Sequence, residues 1–262
     1  NGEGYLWNRY MRGWVEATEK EYTGYQNALK TLDEKVSEVF DKKMKWGDLF
    51  SLERNLPKAT VTFWDGGEQK AHELTQGNLL YIYMVDKMAD GRMKLRRMGI
   101  TEEDVENIKE FVDPRFLELA DWMQDEFLVE KRNEYNEVHK RMFGASMAAI
   151  ENYFPLKILA NARIEEVDVA DDTTDTALPA TSTGSIIKRR RNNLALDVMG
   201  ADAFSVILDH IQQMERWASF AEFNRDLNTL LSYKRFRNQV MNMTSVYGGG
   251  KTLWKNFRNV CS

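Results

Sequence analysis

Between Trp14 and Met44 the apolar residues return every three to four positions. Leu29, Leu32, Val36, Val39 and Phe40 carry the spacing, and charged residues occupy the opposite side. That period predicts one long amphipathic helix, with Gly47 as its stop. Gly13 and Gly24 weaken its first half by about 1 kcal/mol each relative to alanine. The pattern then changes. Ala59-Thr60-Val61-Thr62-Phe63-Trp64 is β-branched and aromatic, Asp65-Gly66-Gly67 reads as a turn, and Gln69–Leu74 returns. This is the single hairpin signal in the chain, and two strands alone are marginal, so it should lie against helices.

Helical spacing resumes after Thr75 and is expected to run through Met88 and end near Asp90-Gly91. The run Leu79-Leu80-Tyr81-Ile82-Tyr83-Met84-Val85 is apolar on every side and reads as buried core; it is far short of the ~20 residues a membrane span needs. Thr101 with Asp104 three residues on resembles a capping box. Asp113-Pro114 supplies a cap and a first-turn proline for a helix extending to Phe143, with Gly144 just past its end. Phe116, Ala120, Met123, Phe127, Tyr135, Val138 and Met142 form its apolar stripe. Helical spacing stops at Asn152-Tyr153-Phe154-Pro155, because a residue before proline avoids the α region. Glu165–Ser185 is acidic, Thr-rich and poor in large apolar groups, which predicts a flexible loop. Beyond it, Asp202 is placed to cap a helix from Ala203 to about Leu231, with Phe204, Ile207, Leu208, Ile211, Met214 and Trp217/Ala218 on its apolar face. A further helix is expected over about Phe236–Val246.

The elements add up to a mainly α fold: an elongated bundle of long helices with one small β-hairpin. Three regions follow. Residues 1–160 form an acidic helical region with the hairpin near 59–74. Residues 161–187 form a flexible low-complexity loop. Residues 188–262 form a basic helical region able to pack on the first. The net charge of −5 hides this asymmetry. Residues 186–262 hold 12 Lys and Arg against 6 Asp and Glu, whereas 1–185 hold 24 against 35, and no acidic residue follows Lys234. Blocks of opposite sign can pair with each other or with partners. The single cysteine, Cys261, excludes an internal disulfide and a multi-cysteine zinc site, which favours a reducing compartment. A first residue other than Met and an uncapped end at Ser262 suggest a piece of a longer chain.

Candidate chemistry is sparse. Gly250-Lys251-Thr252 resembles the end of a phosphate loop, but Ser245 stands where that loop needs glycine, and no strand precedes it. Ser146 in Gly144-Ala145-Ser146-Met147-Ala148 half-matches a nucleophile elbow, again without a preceding strand. His72, His139 and His210 lack the spacing of helical metal sites and are expected at the surface or facing a partner. Glu126, Glu130, Glu134 and Glu137 line one helix, where Lys131 and Arg132 interrupt them, so a solvated face is the simpler reading. No cofactor is implied. The pattern with most chemical content is basic. Lys188, Arg189, Arg190 and Arg191 form a run, and Lys234, Arg235, Arg237, Lys251, Lys255 and Arg258 are interleaved with Phe236, Tyr247, Trp254 and Phe257. Cations contact phosphates and aromatics stack on bases, so DNA or RNA is a candidate partner. The same spacing serves an amphipathic helix whose aromatics face a core.

Several segments in order resemble a known family: Glu73–Met84, Met98-Gly99-Ile100-Thr101, Asn152-Tyr153-Phe154-Pro155, Lys188–Arg191 and the 202–231 helix. Together they are similar to a helical connecting region of large polyvalent proteins from tailed phages and integrative or conjugative elements. The resemblance covers roughly Lys30 onward and does not extend to Glu165–Ser185. It implies a structural or interaction segment rather than an enzyme. Its partners would be other domains of the same long chain or other phage proteins, and its setting cytoplasmic or virion-associated. It carries no catalytic residues across.

Overall fold

The computed structural model describes residues 12–65, 67–157, 196–242 and 251–252. Helix α1, Arg12–Val39, buries Ala17, Ala28, Leu32 and Val36. It ends five residues before the expected Met44. Asp41 takes a left-handed backbone, φ 48°, and reverses the chain. Ser37 stabilises the reversal: its hydroxyl donates to the Met44 carbonyl at 2.7 Å and accepts from the Met44 amide at 3.1 Å. Asp33 accepts the Trp46 amide at 2.7 Å. Gly47 is therefore not the stop of α1; it precedes α2, Asp48–Glu53.

Strands β1, Ala59–Asp65, and β2, Glu68–Leu74, pair antiparallel in the register Ala59↔Leu74 to Asp65↔Glu68. Val61, Phe63 and Leu74 are buried, so one face of the hairpin rests on helices. Helix α3, Gln76–Lys87, starts in a capping box between Thr75 and Asn78, and Leu79, Leu80, Tyr81, Ile82, Met84 and Val85 are all fully buried. A helix apolar on every side belongs at a centre.

The expected stop at Asp90-Gly91 is corrected. The chain turns at Met88, and α4, Ala89–Arg97, already contains both residues in its first turn. A Cβ on Gly91 would lie 2.2 Å from the Val85 carbonyl oxygen. Glycine is there for close approach between helices, not as a terminator.

Helix α5, Glu102–Phe111, carries the Thr101–Asp104 capping box, and α6, Pro114–Trp122, begins at the Asp113 cap. A wide π turn, Met123–Phe127, joins α6 to α7, Leu128–Phe143, which ends at left-handed Gly144. That turn carries buried Gln124, whose Nε2 donates to the carbonyls of Met84 at 3.0 Å and Asn152 at 2.7 Å. Phe154 is fully buried and meets Tyr81 edge-on. Asp202 accepts the Ser205 amide at 2.9 Å and caps α8, Ala203–Ser232; α9, Lys234–Met241, follows. The expected last helix thus begins at Lys234, and its expected end at Val246 lies outside the described residues, as does Glu165–Ser185.

The chain is mainly α with one small hairpin. Helices α1 and α8 run antiparallel, since Gly13 faces Phe223 while Gly24 faces Glu215. One buried cluster unites Leu32, Val36, Leu80 and Phe116 with Phe204, Ile207 and Ile211, residues from both sides of 158–195.

Gly24 allows α1 to reach a buried carboxylate: a Cβ there would lie 2.1 Å from Glu215 Oε2. Gly47 is exposed, in right-handed backbone, with nothing within 4 Å of an added Cβ. Gly24→Ala is expected to cost about 1–3 kcal/mol in urea unfolding, and Gly47→Ala to add about 0.4–1 kcal/mol. Equal effects would show that close packing on Glu215 is not the constraint at Gly24.

Candidate functional site

Of the ten basic residues singled out, four are described. Lys234, Arg235 and Arg237 are exposed on α9, and Lys251 is exposed in a short helical piece with Thr252. Lys188, Arg189, Arg190, Arg191, Lys255 and Arg258 lie outside the described residues, as do Tyr247, Trp254 and Phe257. The aromatic among these cations that is described, Phe236, packs on the small cluster of Leu227 and Leu231. Phe236 therefore seats α9 on α8 and is not a stacking platform, while Tyr233, at 61% exposure, stands outward beside Lys234.

A second arrangement lies between α7 and α8. Lys131, Arg132 and Tyr135 project from α7, His210, Ile211 and Met214 from α8, and Met147–Tyr153 closes the crevice. At its edge Glu215 is buried. Its Oε1 accepts the Tyr135 hydroxyl at 2.8 Å and the Lys131 ammonium at 3.3 Å, and its Oε2 faces Gly24. Burial pulls Lys131 down, but Glu134 and Glu215 outweigh it and hold the ammonium above its ordinary pKa. Burial and then the Glu215 charge push the Tyr135 phenol far up. Tyr153 Oη and His210 Nε2 approach to 3.5 Å. Burial holds His210 down to about 4, so its ring is neutral at pH 7. His210 is thus not the surface histidine expected, and His72 stacks on Phe63 with centroids 4.2 Å apart.

A pair of carboxyls joins α2 to the start of α8. Glu53 is buried and accepts the Gly77 amide at 2.8 Å, at the start of α3. A Cβ on Gly77 would meet Asp202 Oδ2 at 2.0 Å and Glu53 Oε1 at 2.9 Å, so both carboxyls converge over the same glycine. Burial, with the hydrogen bond and charge of Glu53, pushes Asp202 up to about 7. Like charges so close do not both ionise readily. Sequence reading took Asp202 only as a helix cap and missed Glu53.

The remaining motifs resolve plainly. Ser146 is exposed and follows helix α7, not a strand. Glu126, Glu130, Glu134 and Glu137 are exposed, with Glu134 on Lys131 and Glu137 on Lys140 at 2.8 Å each. Among the described residues no group of three or more His, Cys, Asp or Glu is placed to hold a metal, and no helix is long and apolar enough to cross a membrane. Ion pairs from α7 to α8 join Lys131 to Glu215 and Arg141 to Glu222, basic residues of the acidic region with acidic residues of the basic one. Comparison of the chain with protein-family models, curated proteins and solved structures gives no match.

Asp202 and His210 oppose each other in pH dependence. A raised carboxyl pKa means the folded state keeps a proton that the unfolded chain releases above 3.8. That stabilisation is full below the unfolded value and is lost as pH rises through about 7. His210 has the reverse sign: the unfolded chain binds a proton below 6.5 that the folded state refuses down to about 4, so stability is gained as pH rises through that interval. Asp202→Asn should therefore give a Tm that climbs between about pH 4.5 and 7, and His210→Gln one that falls. Tm curves parallel to that of the unaltered protein in both variants would refute the assignment.

Proposed function

We propose that this chain is a non-enzymatic structural or interaction segment of a larger phage or mobile-element protein. The observation that supports it most is the seating of α8. A 30-residue helix, about 45 Å long, lies antiparallel to the 28-residue α1 and completes one core with α1–α7. Such a unit is a stiff body that can hold neighbours at fixed separation. Its buried ionisable groups join helices to one another: Glu215 ties α8 to α7 and Asp202 meets Glu53 beside α3. In the parent chain, protease sites placed at both ends of the segment should leave it bound to the adjoining parts on gel filtration after cleavage. Release as a free 30.6 kDa piece would overturn the reading.

A second reading is favoured by the outward cations of α9. Lys234, Arg235 and Arg237 are exposed while Phe236, packed on Leu227 and Leu231, holds the helix on α8. Cations fixed on a short helix are suited to contact nucleic-acid phosphates. Fluorescence anisotropy with labelled single-stranded and duplex DNA and RNA should give affinities that fall linearly on a log–log salt plot. Reversing all three charges to Glu should weaken binding by about tenfold or more at low salt. Binding that ignores both salt and the triple variant would remove this reading.

A further inference from the structure

The crevice between α7 and α8 contains one cation that no acid among the described residues matches. Lys131 is neutralised by Glu134 at 2.8 Å and Glu215 at 3.3 Å. Its neighbour Arg132 makes no ion pair among the described residues. One terminal nitrogen, Nη2, reaches the Met147 carbonyl at 3.3 Å, and its Nε is buried with no hydrogen-bond partner among the described residues. Arg132 as a whole is half-buried, but an Nε–H that has given up water without gaining an acceptor is costly, and an anion there would restore the missing partner. Arginine suits this, because its planar fork takes the two oxygens of a carboxylate together.

The surroundings narrow the ligand. Leu128, Met147, Ile150, Ile211 and Met214 make most of the wall apolar. The two methionines are adaptable at such a surface. The free space, about 30 Å3, holds roughly two waters or a short alkyl group. Tyr153 and His210 add polar atoms to the lining, and neutral His210 brings no competing charge.

We infer that this crevice binds a small organic monocarboxylate, its oxygens on Arg132 and its alkyl part among Met147, Ile211 and Met214. Inorganic phosphate would find the same cation but no use for the apolar wall, and a neutral amide would find the wall but not the charge.

The test is NMR titration of the whole chain with sodium propionate, following the Arg132 Nε–H signal and the methyl groups of Ile211 and Met214. Saturable shifts of all three are expected, with millimolar or tighter affinity. Propionamide and inorganic phosphate should each bind about tenfold more weakly or worse. Arg132→Gln should lose about tenfold or more in propionate affinity while its circular dichroism is unchanged. If that variant does not fold, Met214→Phe, which fills the space and keeps the charge, should abolish the shifts. No saturation by about 50 mM propionate, an equal response to propionamide or phosphate, or full affinity in the folded variants would overturn the assignment.

Discussion

Phe204 is the contact on which the arrangement turns. It is the second residue of α8, and its ring meets Phe116 at 5.2 Å, Trp46 at 5.6 Å and Phe50 at 6.3 Å between centroids. Trp46 adds a hydrogen bond from Nε1 to the Phe204 carbonyl at 3.1 Å. Each partner is itself positioned by a local device. Trp46 is held by Asp33 after the reversal at Asp41, and Phe116 sits in the first turn after the Asp113 cap. Edge-on aromatic contacts add to the burial of a large ring, and losing such a side chain from a core costs about 3–5 kcal/mol. With Phe204 seated, the direction of α8 along α1 is set, and the α7–α8 crevice follows from it.

The devices that act over three or four residues were legible in the sequence. The Thr101–Asp104 box, the Asp113-Pro114 start, Gly144 past α7 and the Asp202 cap all satisfy orphan amides or carbonyls within one turn, so their residues stand together. The errors arise where a distant group decides. Nothing near Phe40 announces that Ser37 will grip Met44 and end α1 early. Gly91 reads as a helix stop until α4 is seen crossing the Val85 carbonyl. Gly24 reads as a weakness in α1 until Glu215 is found against it. A glycine required by packing and one required by a turn look the same in a sequence.

The same distinction governs the chemistry. Lys131 and Arg132 look like interruptions of an acidic stripe, and on a bare helix they would be. Their difference comes from α8, some 80 residues on, which supplies Glu215 to Lys131 and no carboxylate among the described residues to Arg132. Glu215 stands four residues after Ile211 and seven after Leu208, both on the apolar face of α8, and that spacing was the available signal that a carboxylate is carried inward. Asp202 shows the limit of a local reading in another way. Its backbone-capping role was visible, while its second carboxyl neighbour, Glu53, comes from α2. Phe236 carries the opposite lesson, since an aromatic among cations suggested base stacking and is instead what holds α9 to α8.

Charge asymmetry along a chain invites the idea that an acidic front neutralises a basic back. The α7–α8 ion pairs do not work that way. Lys131–Glu215 and Arg141–Glu222 are made by the minority charges of each region. Every such pair removes an acid from the basic side and a base from the acidic side, which leaves each region's excess larger than its formal count. Coulomb attraction over longer distance is weak here, because charges more than about 8–10 Å apart through solvent are screened at physiological salt. The cations of α9 are exposed on a helix whose own sequence holds no acid. Packing of the two regions is therefore driven by apolar burial around Phe204, with charge matched only locally.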